Sequence, residues 1–139
     1  MERKLQVPRI AVGAVIKEHG KVLLVKRKRP PAEGLWAIPG GKVKWGETLE
    51  DALKREIEEE THVKIEIEKF LKTVEVFARN EKNEIVFHYV ILDYLARIKE
   101  GEPYAGDDAL EIRWFTKNEL DEFPVTETTR QLLREQLDF

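Results

Sequence analysis

The densest group of reactive side chains is acidic: Glu56, Glu58, Glu59 and Glu60 directly follow Arg55 within a short run. From Thr48 onward the pattern is helical, with Leu49, Ala52, Leu53 and Ile57 recurring at spacings of three and four. Advancing ~100° per residue from Leu49 gathers Leu53, Ile57 and Ala52 into a stripe about 140° wide. Glu56 and Glu60 fall inside that stripe and Glu59 at its edge, while Glu50, Asp51, Lys54 and Glu58 point the opposite way. Carboxylates at i,i+3 and i,i+4 repel, and partial burial raises the cost, so three of them facing a core margin call for protons or a cation. Oxygen donors on one helix suit Mg²⁺ or Mn²⁺, hard ions that keep waters and bind substrate phosphate beside protein carboxylates. An acidic run is more often a solvated face, and Arg55 taken alone reads as a surface base paired with Glu59. The inward placement of Glu56 and Glu60 is what favours the ion.

Other segments must position this helix. Residues 9–16 (RIAVGAVI) and 21–26 (KVLLVK) are short apolar runs separated by Glu18-His19-Gly20, which predicts a hairpin. Residues 27–34 carry three bases, two prolines and a glycine and read as an irregular loop. Residues 35–39 (LWAIP) predict a short buried strand entering a Gly40-Gly41 turn. Thr48 is the expected helix N-cap, with Asp51 at the third helical position, and about three turns follow. Residues 63–76 and 84–98 predict two long strands joined through Asn80-Glu81-Lys82-Asn83. After a turn-rich loop at 101–108 (GEPYAGDD) come a last strand at 111–115 and an amphipathic helix at 126–137. Strands interrupted by two helices imply an α/β domain with a mixed sheet between helical layers, one domain over residues 1–139.

The chain is 42% hydrophobic and 37% charged, a composition that favours a folded, strongly charged soluble protein over disorder. Its 24 basic and 27 acidic residues are well mixed, so no footprint for nucleic acid or an anionic membrane stands out. Without cysteine there is no disulfide framework, thiolate zinc site or thiol nucleophile, which fits a reducing compartment. Neither a signal peptide nor an apolar run of ~18 residues is present, so a cytoplasmic location is expected.

Residues 41–63, GKVKWGETLEDALKREIEEETHV, resemble the Nudix box: glycine, five residues, Glu, seven residues, Arg-Glu, an aliphatic residue, one free position, then Glu-Glu. Gly41, Glu47, Arg55, Glu56, Ile57, Glu59 and Glu60 match in register. The resemblance implies the family's α/β/α sandwich and a metal-dependent hydrolase of pyrophosphate linkages. It implies that Glu56, Glu59 and Glu60 hold the catalytic metal, and that Arg55 orients a carboxylate by ion pairing. Glu47 would then support the loop or a metal-bound water, and Gly40 would offer a backbone carbonyl to the metal. His62 stands where the box ordinarily has glycine, a change expected to bear on the helix C-terminus more than on metal binding.

Family members often draw a further acid from a loop opposite the box, and Glu102, Asp107 and Asp108 are the candidates here. Asp108, six residues before Trp114, has the spacing found in mutator-type nucleotide hydrolases; an Asp-rich turn capping its own backbone is the equal alternative. Arg27 and Arg29, in the loop KRKRPP, would attract an anionic substrate, though such bases are commonly only solvated. Trp36 is expected chiefly in the core, with the nucleoside pocket as its other assignment. The GDDA loop before a Trp-Phe strand resembles the small ADP-ribose pyrophosphatase branch. Arg79 stands near the place where many ADP-ribose hydrolases have proline, and Glu127 near the asparagine of enzymes that read oxidised guanine. The expected substrate is a nucleoside diphosphate derivative, ADP-ribose first, with Mg²⁺ as cofactor. The alternatives are a (d)NTP pyrophosphohydrolase that cleans the nucleotide pool and a non-catalytic nucleotide sensor. A homodimer is the expected form of self-association, if there is one.

Overall fold

The computed structural model describes residues 6–106 and 109–139. In chain order it contains β1 (Arg9–Glu18), β2 (Lys21–Arg27), β3 (Trp36–Ala37), β4 (Gly40–Lys42), α1 (Leu49–Thr61), β5 (Lys64–Arg79), β6 (Ile85–Glu100) and β7 (Ala109–Phe115). A 3₁₀ turn (Asn118–Asp121) and α2 (Glu127–Leu137) follow.

The sheet is mixed, in the order β3-β2-β1-β6-β5, with β4 also paired to β1 and β7 to β2. β1 is its centre: it runs parallel to β6 from Arg9–Tyr89 to Ile16–Ala96 and antiparallel to β4 at Ala11, Val12 and Gly13. The hairpin expected between β1 and β2 is therefore a narrow one, paired only at Lys17–Val22 and Glu18–Lys21, because β6 and β4 occupy the rest of β1's edges. β2 spends its own ladder on β7. The segment 35–39 is strand only at Trp36–Ala37, and the Gly40-Gly41 step is a strand rather than a turn. Gly40 can pair there because its missing Cβ leaves room; one added would lie 2.0 Å from the Val12 carbonyl oxygen.

Alternation along β1 splits the core. Val12, Ala14 and Ile16 meet Leu53, Ile57 and Val63 on the α1 face. Val15 joins Leu24, Trp36, Phe115, Leu132 and Leu133 on the α2 face. The α/β/α sandwich follows from these two apolar faces, each needing its own helix. No helix among the described residues is long and apolar enough to cross a membrane.

Candidate active site

Helix α1 begins as its sequence predicts, with the Thr48 hydroxyl accepting from the Asp51 N–H at 3.1 Å. It ends at His62, which takes the left-handed conformation (φ 64°, ψ 23°) and donates its N–H to the Glu58 carbonyl at 2.9 Å. His62 thus holds the backbone geometry for which glycine is the usual residue. Its Nδ1 lies 3.0 Å from the Tyr104 carbonyl, and its ring stacks on Tyr104 with centroids 3.6 Å apart.

Arg55 is the hub of the helix's inner edge. Its Nε donates to Glu47 Oε2 at 2.6 Å, and its terminal nitrogens reach Glu47 Oε1 (2.8 Å), Glu56 Oε1 (2.8 Å), Glu59 Oε2 (3.3 Å) and the Lys42 carbonyl (3.0 Å). A guanidinium fork is the one side chain whose fixed donors satisfy so many acceptors at once. The hydrogen bond from Arg55, aided by the Lys44 N–H, holds the Glu47 carboxyl down at about 2. The same hydrogen bond pushes the Arg55 guanidinium further toward its charged form. Glu47 is thereby committed to tying the 42–48 loop to the helix.

Glu56 and Glu60 point instead toward β4. The Gly40 N–H donates to Glu60 Oε1 at 3.0 Å. Gly41 lies so close under Glu56 that an added Cβ would fall 2.1 Å from Glu56 Oε2. Both acids line a cavity of about 610 Å³, within the range of nucleotide-sized ligand sites. The same cavity is lined by Arg27 at the end of β2, by Lys28 and Arg29 from the loop after it, and by Glu127 with its threonine neighbours from the start of α2.

The structure therefore brings Gly40, Glu56, Glu60, Arg27, Arg29 and Glu127 to one cavity and leaves other predicted site residues elsewhere. Glu59 is half-exposed and accepts from the same Arg55 nitrogen as Glu56, outside the cavity lining itself. Trp36 is a correction as a pocket residue: it is 3% exposed and packs edge-on against Phe115 and Phe123. Arg79 is another, since it donates to the Asn83 carbonyl at the far end of the β5–β6 hairpin. Glu102 is exposed and away from the cavity lining. Asp107 and Asp108 lie outside the described residues. Just before them, Gly106 donates to the Glu60 carbonyl at 2.7 Å, and Tyr104 to that of Thr61 at 3.0 Å. The loop from 101 is thus moored on the end of α1.

Among the described residues no three acidic or imidazole side chains converge into a ready-made cation cage. Two carboxylates on a cavity wall are nonetheless the donor set expected for an ion that completes its shell with water and substrate phosphate. Glu56 and Glu60 fit such an ion, and Glu59 stands beside Glu56 on the Arg55 guanidinium.

One residue of the lining escaped the sequence reading. Asp93, on β6, is 3% exposed, and its Oδ1 has no hydrogen-bond partner among the described residues. Burial pushes its carboxyl up to about 7, against a partial offset from the Lys72 charge. The available signal was an acid alone in the apolar run IVFHYVILDYLA, on the same strand face as Ile91 and Leu95.

Comparisons with known proteins agree with this geometry. A family model described as the NUDIX domain matches residues 7–136. The ADP-ribose pyrophosphatase of Methanocaldococcus jannaschii is 39% identical over 113 residues, 81% of this chain and 64% of that protein, so the chain spans just under two thirds of that relative's length. The nucleoside triphosphatase NudI of Enterobacter sp. (strain 638) is 30% identical over 131 residues, covering 88% of this chain and 92% of that one. The crystal structure of a MutT NUDIX hydrolase from Burkholderia pseudomallei superposes with a TM-score of 0.79 at 39% identity, over 95% of this chain and 99% of the other. With the charged positions of the box in register and the sandwich fold around them, the chain belongs to the Nudix family.

Proposed function

We propose that this protein is a metal-dependent hydrolase of the pyrophosphate bond in nucleoside diphosphate derivatives, with ADP-ribose cleaved to AMP and a phosphorylated sugar. The observation that carries the proposal is that Glu56 and Glu60 line the same cavity as the basic residues Arg27, Lys28 and Arg29. The bases meet a diphosphate's negative charge, while the acids need a cation between themselves and that same charge. Mg²⁺, with Mn²⁺ as substitute, would be held by Glu56 and Glu60 and would neutralise phosphate charge and lower the pKa of an attacking water. Arg55 orients Glu56, and Glu47 fixes Arg55 through two hydrogen bonds. Gly40 and Gly41 give the carboxylates their close seat on β4. Asp108 remains the candidate for an additional acid from the 101–108 loop.

The likeness to the M. jannaschii ADP-ribose pyrophosphatase supports the adenosine diphosphate substrate. Release of pyrophosphate from triphosphates is the second reading, supported by the likeness to NudI along nearly that protein's whole length. The protein is read as acting in the cytoplasm on a small-molecule nucleotide, without nucleic acid or membrane, as a single domain able to form a homodimer. A Mg²⁺-supplemented panel of ADP-ribose, ADP-sugars and nucleoside triphosphates, with products identified, tests the assignment. AMP from ADP-ribose, abolished by EDTA, is the expected result; pyrophosphate from triphosphates with ADP-ribose untouched would replace it by the second reading.

A further inference from the structure

Asp93 is a buried carboxyl that neither the fold nor the phosphate chemistry above uses. Lys72, whose charge acts on it, stands opposite on β5 but donates to Glu135 of α2 at 2.7 Å, which leaves Asp93 without that hydrogen bond. Asp93 pairs across the sheet with Gly13, where an added Cβ would lie 2.5 Å from Asp93 Oδ1 and 2.9 Å from Ile38 Cδ1. The glycine thus leaves the space the carboxyl occupies, on the wall of the cavity. An unpartnered buried polar atom costs stability unless something else repays it, so this placement points to a ligand.

Position selects the part of the ligand. Asp93 aligns with Gly13, and Gly13 with Gly40, whose N–H holds Glu60. Two inter-strand spacings, about 10 Å, therefore separate the Asp93 backbone from the strand that seats the acids. That is comparable with the reach from a nucleotide's phosphate to the far edge of its base. The lining around Asp93 is apolar and aromatic, from Ile38, Val74, Ile91 and Tyr89, and suits a flat ring more than a sugar.

We propose that Asp93 is the residue that holds the nucleobase, its carboxyl pairing with a base edge that presents a hydrogen-bond donor beside an acceptor. Burial favours the protonated carboxyl, which offers one O–H donor and one acceptor side by side. Adenine meets it with its amino group and adjacent ring nitrogen, guanine with its N1–H and O6. The inference rests on the nucleotide-hydrolase reading and expects adenine.

Titration calorimetry of the intact chain without metal, using AMP, GMP and ribose 5-phosphate, separates the possibilities. Asp93→Leu is expected to weaken AMP about 10-fold or more, the loss typical of removing one partner of a buried base contact. Asp93→Asn, which also carries a donor and an acceptor, should stay within about 3-fold of wild type. Ribose 5-phosphate should bind all three proteins alike. Equal AMP and GMP affinity in wild type and Asp93→Leu, or no binding of either nucleotide by wild type, would overturn the proposal. So would a parallel loss of ribose 5-phosphate, which would signal a general structural effect, or an Asp93→Asn loss as deep as that of Asp93→Leu. A loss confined to GMP would uphold base binding by Asp93 and sink the adenosine substrate instead. Failure of the hydrolase reading would appear separately, as absent turnover with metal.

Discussion

Arg55 and Asp93 show how differently two ionisable residues of one site are maintained. Arg55 spends its donors on Glu47, Glu56, Glu59 and a backbone carbonyl, so removing it leaves like charges facing each other. Arg55→Ala is expected to lower kcat/KM about 100-fold in a steady-state assay, and Arg55→Lys should fail to restore it because a point charge lacks the fork. Asp93 has a folded-state value of about 7 against 3.8 for an ordinary aspartate. Its folded value is the higher, so its contribution to stability is fully present below about pH 4 and is lost as the pH rises through about 7. Asp93→Asn removes that dependence: its thermal unfolding should be flatter from pH 5 to 8, and at pH 8 the variant should be more stable by up to about 4 kcal/mol. An Asn variant less stable than wild type at pH 8 would show that the carboxylate is compensated in a way the fold does not display.

At the scale of elements, β4 and α1 form one device. The same missing Cβ serves two purposes in adjacent glycines. At Gly40 it would strike the backbone of Val12, and at Gly41 the movable end of Glu56. Gly40→Ala should therefore cost about 2 kcal/mol or more in denaturant unfolding, by breaking the β1–β4 pairing. Gly41→Ala should leave stability within about 0.5 kcal/mol yet lower activity at least about 10-fold, by displacing Glu56. Equal effects of the two on stability would contradict this division. At the helix's other end His62 already has the left-handed angles of a C-terminal cap. His62→Gly should relieve backbone strain, lose the Tyr104 stack and leave hydrolysis within about twofold, counting against a sensor built on that substitution.

Helix α1 was the element most legible in the sequence, since apolar spacing placed Glu56 and Glu60 inward and the Thr48 cap set the start. Glu59 at the stripe's edge is half-exposed and shares an Arg55 nitrogen with Glu56, a placement that periodicity alone does not assign. Two glycines at 40–41 signal a bend in the sequence, whereas in β4 they permit a close strand approach that the tertiary partner, β1, makes favourable.

For the whole molecule, the site exists because the central strand β1 serves both faces of the sheet. Val12, Ala14 and Ile16 bury α1 on one side, while Ala11 and Gly13 leave space on the other, where α2 and the basic loop close the cavity. Alternation predicted the two layers, but the cavity depends on β1 lying between β4 and the distant β6, a pairing no local pattern specifies. Trp36 lies in the core, as its aromatic bulk leads one to expect, while Arg79 lies at the hairpin tip because β5 runs out to the turn there. The most direct test of the account is Mg²⁺-dependent hydrolysis of ADP-ribose by wild type, Glu56→Gln and Glu60→Gln, with AMP quantified. Wild type should form AMP only with metal, and each variant should lose about 100-fold or more of that rate while remaining folded. Undiminished AMP formation in both variants would contradict the assignment of the metal to this wall of the cavity.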